Sequence, residues 1–152
     1  MDESTREEVR ERAIRLLARR EHAVRELAQK LRQRGYPSET VAAVTDELRA
    51  EGLLSDERFA EEFVRSRRGQ GFGPLRIRAD LGRRGVDDGI ATAFLEDDET
   101  NWLSQAASVR EKRFGTALPP DGREWQRQAR YLVNRGYTRD QIRRVLGGSE
   151  FE

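Results

Sequence analysis

Cysteine is absent from this chain, which removes disulfides, thiolate zinc sites and thiol nucleophiles together and fits a reducing compartment. Histidine is almost absent. His22 stands alone at the start of a helix among charged residues, with no second histidine to share a metal, so a capping or surface role is expected for it. No run approaches the roughly 18 apolar residues of a membrane span, and the opening Met1-Asp2-Glu3-Ser4-Thr5-Arg6 has no apolar core. A cytoplasmic protein without a visible export signal is therefore expected. Strand signals are missing too: Asp121-Gly122 sits beside two prolines and before a helix, and reads as a loop. Serine and threonine show no nucleophile elbow. The carboxylate pairs Glu61-Glu62, Asp87-Asp88 and Asp97-Asp98 are adjacent in sequence, point different ways and read as solvated charge. No enzyme activity, metal or cofactor is expected.

Apolar residues are also scarce, at 36% against 38% charged, which is thin for one sphere with one deep core. Small helical units stacked in a row need less, which points to a repeat architecture. A short signature recurs: Leu31-Arg32-Gln33-Arg34-Gly35-Tyr36, Leu81-Gly82-Arg83-Arg84-Gly85-Val86 and Leu132-Val133-Asn134-Arg135-Gly136-Tyr137. Each occurrence reads as a helix ending. Leucine anchors the last buried turn, arginine favours the negative end of the helix dipole, and glycine takes the left-handed conformation beyond it.

Helical periodicity fills in the units. In the first, Val9, Ala13, Leu16 and Leu17 define one helix, Val24, Leu27, Ala28 and Leu31 a second, and Val41, Val44 and Leu48 a third. Thr5 with Glu8 reads as a capping box, Pro37-Ser38 as a helix start, and Gly52 as a stop. The second unit opens at Ser55-Asp56-Glu57 and carries Phe59, Ala60, Phe63 and Val64. After the break Gly69-Gln70-Gly71-Phe72-Gly73-Pro74 come Leu75, Ile77, Ala79 and Leu81, then Ile90, Ala93, Phe94 and Leu95. The third unit follows an acidic connector, Glu96-Asp97-Asp98-Glu99, and carries Trp102, Leu103, Ala106, Val109 and Phe114. A loop at 115–122 leads to Trp125, Ala129, Tyr131, Leu132 and Val133, and Thr138 with Gln141 caps a last helix holding Ile142, Val145 and Leu146. The expected fold is all-α: three tandem three-helix repeats, at 1–54, 55–98 and 99–152, in an elongated, curved array. Residues 147–152 read as a frayed tail.

Net charge is only +1, but arginine is clustered. Arg65, Arg67, Arg68, Arg76, Arg78, Arg83 and Arg84 fall within twenty residues against a single acid, Asp80, while the whole chain has two lysines, Lys30 and Lys112. The cluster reads either as a solvated face or as a contact surface for phosphate or acidic protein, suited to arginine's planar donor group. Gly69-x-Gly71-x-Gly73 superficially resembles a phosphate-cradling loop, yet no strand precedes it and no Gly-Lys-Ser/Thr ending follows. These glycines read as a turn between helices, with a contact role left open by their place inside the cluster.

The segment Leu54-Ser55-Asp56-Glu57-Arg58-Phe59-Ala60-Glu61-Glu62-Phe63-Val64-Arg65-Ser66-Arg67, followed by Gly73-Pro74-Leu75-Arg76-Ile77-Arg78-Ala79-Asp80-Leu81 and Gly85-Val86, resembles the central motif of the RecX family of recombination regulators. The resemblance extends over essentially the whole chain and agrees with the family's three tandem three-helix repeats. It implies a non-enzymatic protein that binds in the groove of the RecA–DNA filament and opposes RecA recombinase and ATPase activity in recombination, DNA repair and the SOS response. The arginine cluster is then the expected surface for RecA or for DNA within the filament, with DNA bound only weakly by the protein alone. No sustained heptad is visible, so a monomer is expected. Two other readings remain: a helical nucleic-acid-binding module acting without RecA, and a helical scaffold with some other partner.

Overall fold

Asp2 starts the first helix. Its carboxylate accepts the backbone N–H of Ser4 and the hydroxyl of Thr5, both at 3.1 Å, so Asp2 and not Thr5 is the N-cap of α1 (Glu3–Arg19). The computed structural model describes residues 2–96 and 98–151. Eight further α-helices follow among them: α2 (Val24–Gln33), α3 (Ser38–Ala50), α4 (Asp56–Gly69), α5 (Pro74–Arg83), α6 (Asp88–Leu95), α7 (Glu99–Phe114), α8 (Gly122–Arg135) and α9 (Arg139–Leu146). No strand occurs among the described residues. Asp98 caps α7 by accepting from Thr100, and the capping box at Thr138 and Gln141 forms as the sequence predicts. Asp97, one of the paired carboxylates, lies outside the described residues.

The chain folds into two compact units, one of residues 1–63 and 81–91, the other of 64–80 and 92–152. In the first, Val9, Ala13, Leu27, Leu31, Val41, Val44 and Leu48 close a core between α1, α2 and α3, each fully shielded from water. Arginine–carboxylate pairs tie its rim: Arg10 reaches Glu51 at 2.9 and 2.7 Å, and Arg6 reaches Glu47 at 3.2 Å. Phe59 and Phe63 are buried with ring centroids 5.4 Å apart, which assigns these motif aromatics to packing.

In the second unit α7, α8 and α9 bury Trp102, Ala106, Trp125, Leu132, Tyr137, Ile142 and Leu146. Arg110 is buried among them and forks to three neutral acceptors: Gln128 Oε1 at 3.1 Å, and the carbonyls of Ala117 and Thr116, both at 3.2 Å. That side chain holds the 115–122 loop onto α8. Residues 147–151 of the expected frayed tail are docked instead. Trp125 donates its indole N–H to the Gly147 carbonyl at 2.6 Å, and a 3-10 turn at Ser149–Phe151 offers its Phe151 carbonyl to Gln126 at 3.1 Å.

The three signature glycines, Gly35, Gly85 and Gly136, all have positive φ, at 92°, 82° and 100°. Leu31, Leu81 and Leu132 are fully buried. Val86 and Tyr137 return their N–H groups to the carbonyls of Leu81 and Leu132 at 3.1 Å, which closes each helix end. A side chain at Gly85 would collide with Arg25, and one at Gly136 with Arg76, whereas the space beside Gly35 is open. The same packing thus recurs once in each unit, with the end of one repeat's second helix against the start of the preceding repeat's second helix.

Candidate functional site

The basic cluster is carried by the two halves of the middle repeat. Arg65, Arg67 and Arg68 lie on α4 and Arg76 and Arg78 on α5, all within the second unit, whereas Arg83 and Arg84 belong to the first. Arg65, Arg76, Arg78 and Arg83 are exposed, and Arg67, Arg68 and Arg84 are half-buried.

Several of these guanidinium groups are built into the fold. Arg68 stacks over Trp102 at 3.8 Å from the ring centroid and donates through Nε to Gln105 at 3.1 Å. Arg76 lies 4.3 Å from the Phe72 ring centroid and donates to the Asn134 carbonyl at 3.2 Å. Arg84 packs over Phe63 at 4.7 Å and approaches Glu26 at 3.9 Å. These three are therefore more than a solvated face. They weld neighbouring repeats within their own units, so their removal changes packing as well as charge.

The glycine-rich turn resolves the same way. Gly73 donates its N–H to the Arg135 carbonyl at 2.7 Å, Leu75 donates to the Gly136 carbonyl at 2.9 Å, and a Cβ at Gly73 would lie 2.5 Å from the Gly136 carbonyl. Glycine is needed there because two backbones touch. Tyr137 adds its hydroxyl to the Gly71 carbonyl at 2.8 Å, and burial raises its pKa. The turn is a structural latch.

The signature arginine of the third repeat was legible only as a helix-ending residue. Arg135 stacks 4.2 Å from the Phe72 ring centroid and hydrogen-bonds the Gln70 carbonyl. With Arg68, Lys112 and Arg113 it lines a cavity of about 320 Å³ in the second unit, and no carboxylate is among the described lining residues. Lys112 and Arg113 come from the last turn of α7, forty-odd residues beyond Arg68, and no local pattern marks them.

His22 departs from expectation. It is 2% exposed, just ahead of α2, with Nδ1 3.0 Å from the Arg20 carbonyl and Nε2 3.1 Å from Lys30 Nζ. A carbonyl accepts and an ammonium donates, so the ring is neutral with its proton on Nδ1. Burial lowers its pKa, and nearby Arg20 and Lys30 reinforce the shift against the opposing Arg20 hydrogen bond. The lone histidine is a core residue. No group of histidines and carboxylates able to hold a metal occurs among the described residues, and no described helix is long and apolar enough to cross a membrane.

Nine α-helices among the described residues, grouped in threes with a recurring helix ending, define a tandem helical-repeat protein. The comparisons with known proteins agree with that class and make it specific. Descriptions of the first, second and third three-helix domains of RecX match residues 10–48, 55–95 and 99–146 in order. The chain belongs to the RecX family. It is 53% identical to regulatory protein RecX of Halorhodospira halophila over 144 residues, 95% of this chain and 89% of that one. Regulatory protein RecX of Pseudomonas entomophila is 43% identical over 142 residues, 93% of this chain and 92% of its own. The fold matches the crystal structure of RecX from Lactobacillus salivarius with a TM-score of 0.82 at 19% identity, covering 98% of this chain and 99% of that one. A regulatory role and an all-α fold of three RecX domains follow.

Proposed function

We propose that the protein binds the RecA–DNA filament and lowers its recombinase and ATPase activity, using the arginines of α4 and α5 as a contact surface. The observation that carries this reading is the ordered match of all three RecX domains across the chain. Chemistry supports it: guanidinium groups pair in bidentate fashion with the carboxylates of a protein and with the phosphates of DNA. Two units that each add a modest contact on a repeating polymer gain affinity through effective concentration. DNA is reached through the filament, and the near-neutral net charge keeps binding to DNA alone weak. The protein acts as a monomer.

Arg65 and Arg78 test the surface best, because both are exposed, whereas Arg68 and Arg76 also hold aromatic rings in place. The double variant Arg65→Glu, Arg78→Glu is expected to weaken binding to labelled RecA–DNA filaments at least tenfold with its helical circular dichroism unchanged. Unchanged binding would remove these two positions from the interface. Equal loss on filament and on bare DNA would instead favour a nucleic-acid module that works without RecA.

A further inference from the structure

The cavity of the second unit has a composition that the regulatory reading does not require. Arg68 approaches from the end of α4, Lys112 and Arg113 from the last turn of α7, and Arg135 from the end of α8. Ser108 and the Tyr131 ring complete the polar and aromatic wall. Three guanidinium groups and one ammonium therefore converge on about 320 Å³ of space with no carboxylate among the described lining residues. Cations packed around a concave, low-dielectric wall repel one another and raise a positive potential inside it, and an anion entering the cavity relieves both.

The side chains are held for this before any ligand arrives. Arg68 is fixed on Trp102, Arg113 lies 5.6 Å from the Tyr131 ring centroid, and Arg135 is pinned between the Phe72 ring and the Gln70 carbonyl. Arg135 also carries a buried Nε with no hydrogen-bond partner, an unfavourable arrangement for a group that has five donors to place. Pre-ordered cations lose little side-chain entropy on binding.

We infer that this cavity is a phosphate-binding site that receives one backbone phosphate of a nucleic-acid strand. A tetrahedral phosphate offers several acceptor oxygens to donors arriving from three helices, which suits this arrangement better than the two coplanar oxygens of a carboxylate. A contact made to the phosphate carries no base information, so the binding is independent of sequence. The inference extends the proposed action on a DNA-bearing filament, and it is tested without RecA so that the two can fail separately.

The probe is a fluorescent oligothymidylate, titrated with the full chain at two salt concentrations and followed by anisotropy. Lys112→Glu changes an exposed side chain and is expected to cut affinity at least fivefold and to flatten the salt dependence by about one phosphate contact, a log–log slope change of ~0.7. Arg15→Glu, the control, makes a charge reversal on the exposed face of α1 and is expected to leave affinity within twofold. Inorganic triphosphate should compete. A nuclear magnetic resonance signature localises the event. The indole N–H of Trp102, beneath Arg68, should shift on adding oligonucleotide and stay still in Lys112→Glu, while that of Trp125, which does not line the cavity, should stay still in both. Equal loss in the two charge reversals, or an unmoved Trp102 signal, would overturn the site. Binding of triphosphate without binding of oligonucleotide would overturn the nucleic-acid ligand and assign the cavity to a free polyphosphate.

Discussion

Gly136 sits against the backbone of Arg76: a Cβ built on the glycine would come 2.7 Å from the Arg76 nitrogen. Gly85 meets the Arg25 side chain at the equivalent place, so the same helix ending serves both as a stop signal and as the seat of the preceding repeat. One sequence position meets two demands, positive φ and the absence of a side chain.

Substitution at the three glycines should separate those demands. Gly35→Ala meets only the backbone penalty of the left-handed region, about 1–2 kcal/mol, because the space beside it is open. Gly136→Ala meets that penalty and must also displace the Arg76 backbone, adding about 1–3 kcal/mol as for other overpacked sites. Urea denaturation of the two variants against the parent checks the order, and equal losses would show that the close approach is relaxed at no cost.

Stability should also fall with pH through His22. Its pKa is lowered in the folded chain from an ordinary value of ~6.5, so the unfolded chain binds the extra proton first. The stabilisation is complete above that value and is lost as pH falls below it, when a charged ring would face Lys30 and lose its acceptor nitrogen. Thermal unfolding at pH 7.5 and 5.5 should show a smaller drop for His22→Gln than for the parent. Glu26 is a separate contributor. Burial pushes its carboxyl up, but the hydrogen bond and charge of Arg20 outweigh burial and leave it low, so its effect is lost only at more acidic pH.

Arg110 gives a third expectation. Its guanidinium spans Thr116, Ala117 and Gln128 from two separate nitrogens, a reach that lysine's single nitrogen does not have. Arg110→Lys and Arg110→Met should each destabilise the protein by about 2 kcal/mol, with faster amide exchange in the 115–122 loop than in α7. Rescue by lysine would show that charge alone matters there.

Helix content and repeat order were legible because each repeat announces itself twice, by apolar residues at helical spacing and by the Leu-x-x-Arg-Gly ending. Local patterns could not show where those endings dock. Arg84 and Arg135 read as helix-dipole partners, yet each reaches an aromatic ring tens of residues earlier in the chain. His22 reads as exposed because its neighbours in sequence are charged, but it is buried, held between the Arg20 carbonyl and Lys30 of α2. The tail at 147–152 is polar enough to read as frayed, whereas its described part is held by two carbonyls, Gly147 accepting from Trp125 and Phe151 from Gln126. For the arginine cluster the sequence showed the charge but not its division between two units, nor that Lys112 and Arg113 from another repeat would gather near Arg68.

The central claim is regulation of RecA, and the ATPase activity of RecA on single-stranded DNA tests it most directly when titrated with this protein from sub-stoichiometric to equimolar ratios. The account predicts a progressive fall in ATP hydrolysis that begins well below one copy per RecA and is weakened in the Arg65→Glu, Arg78→Glu variant. An ATPase rate that stays constant across the titration, with the protein folded throughout, would contradict it.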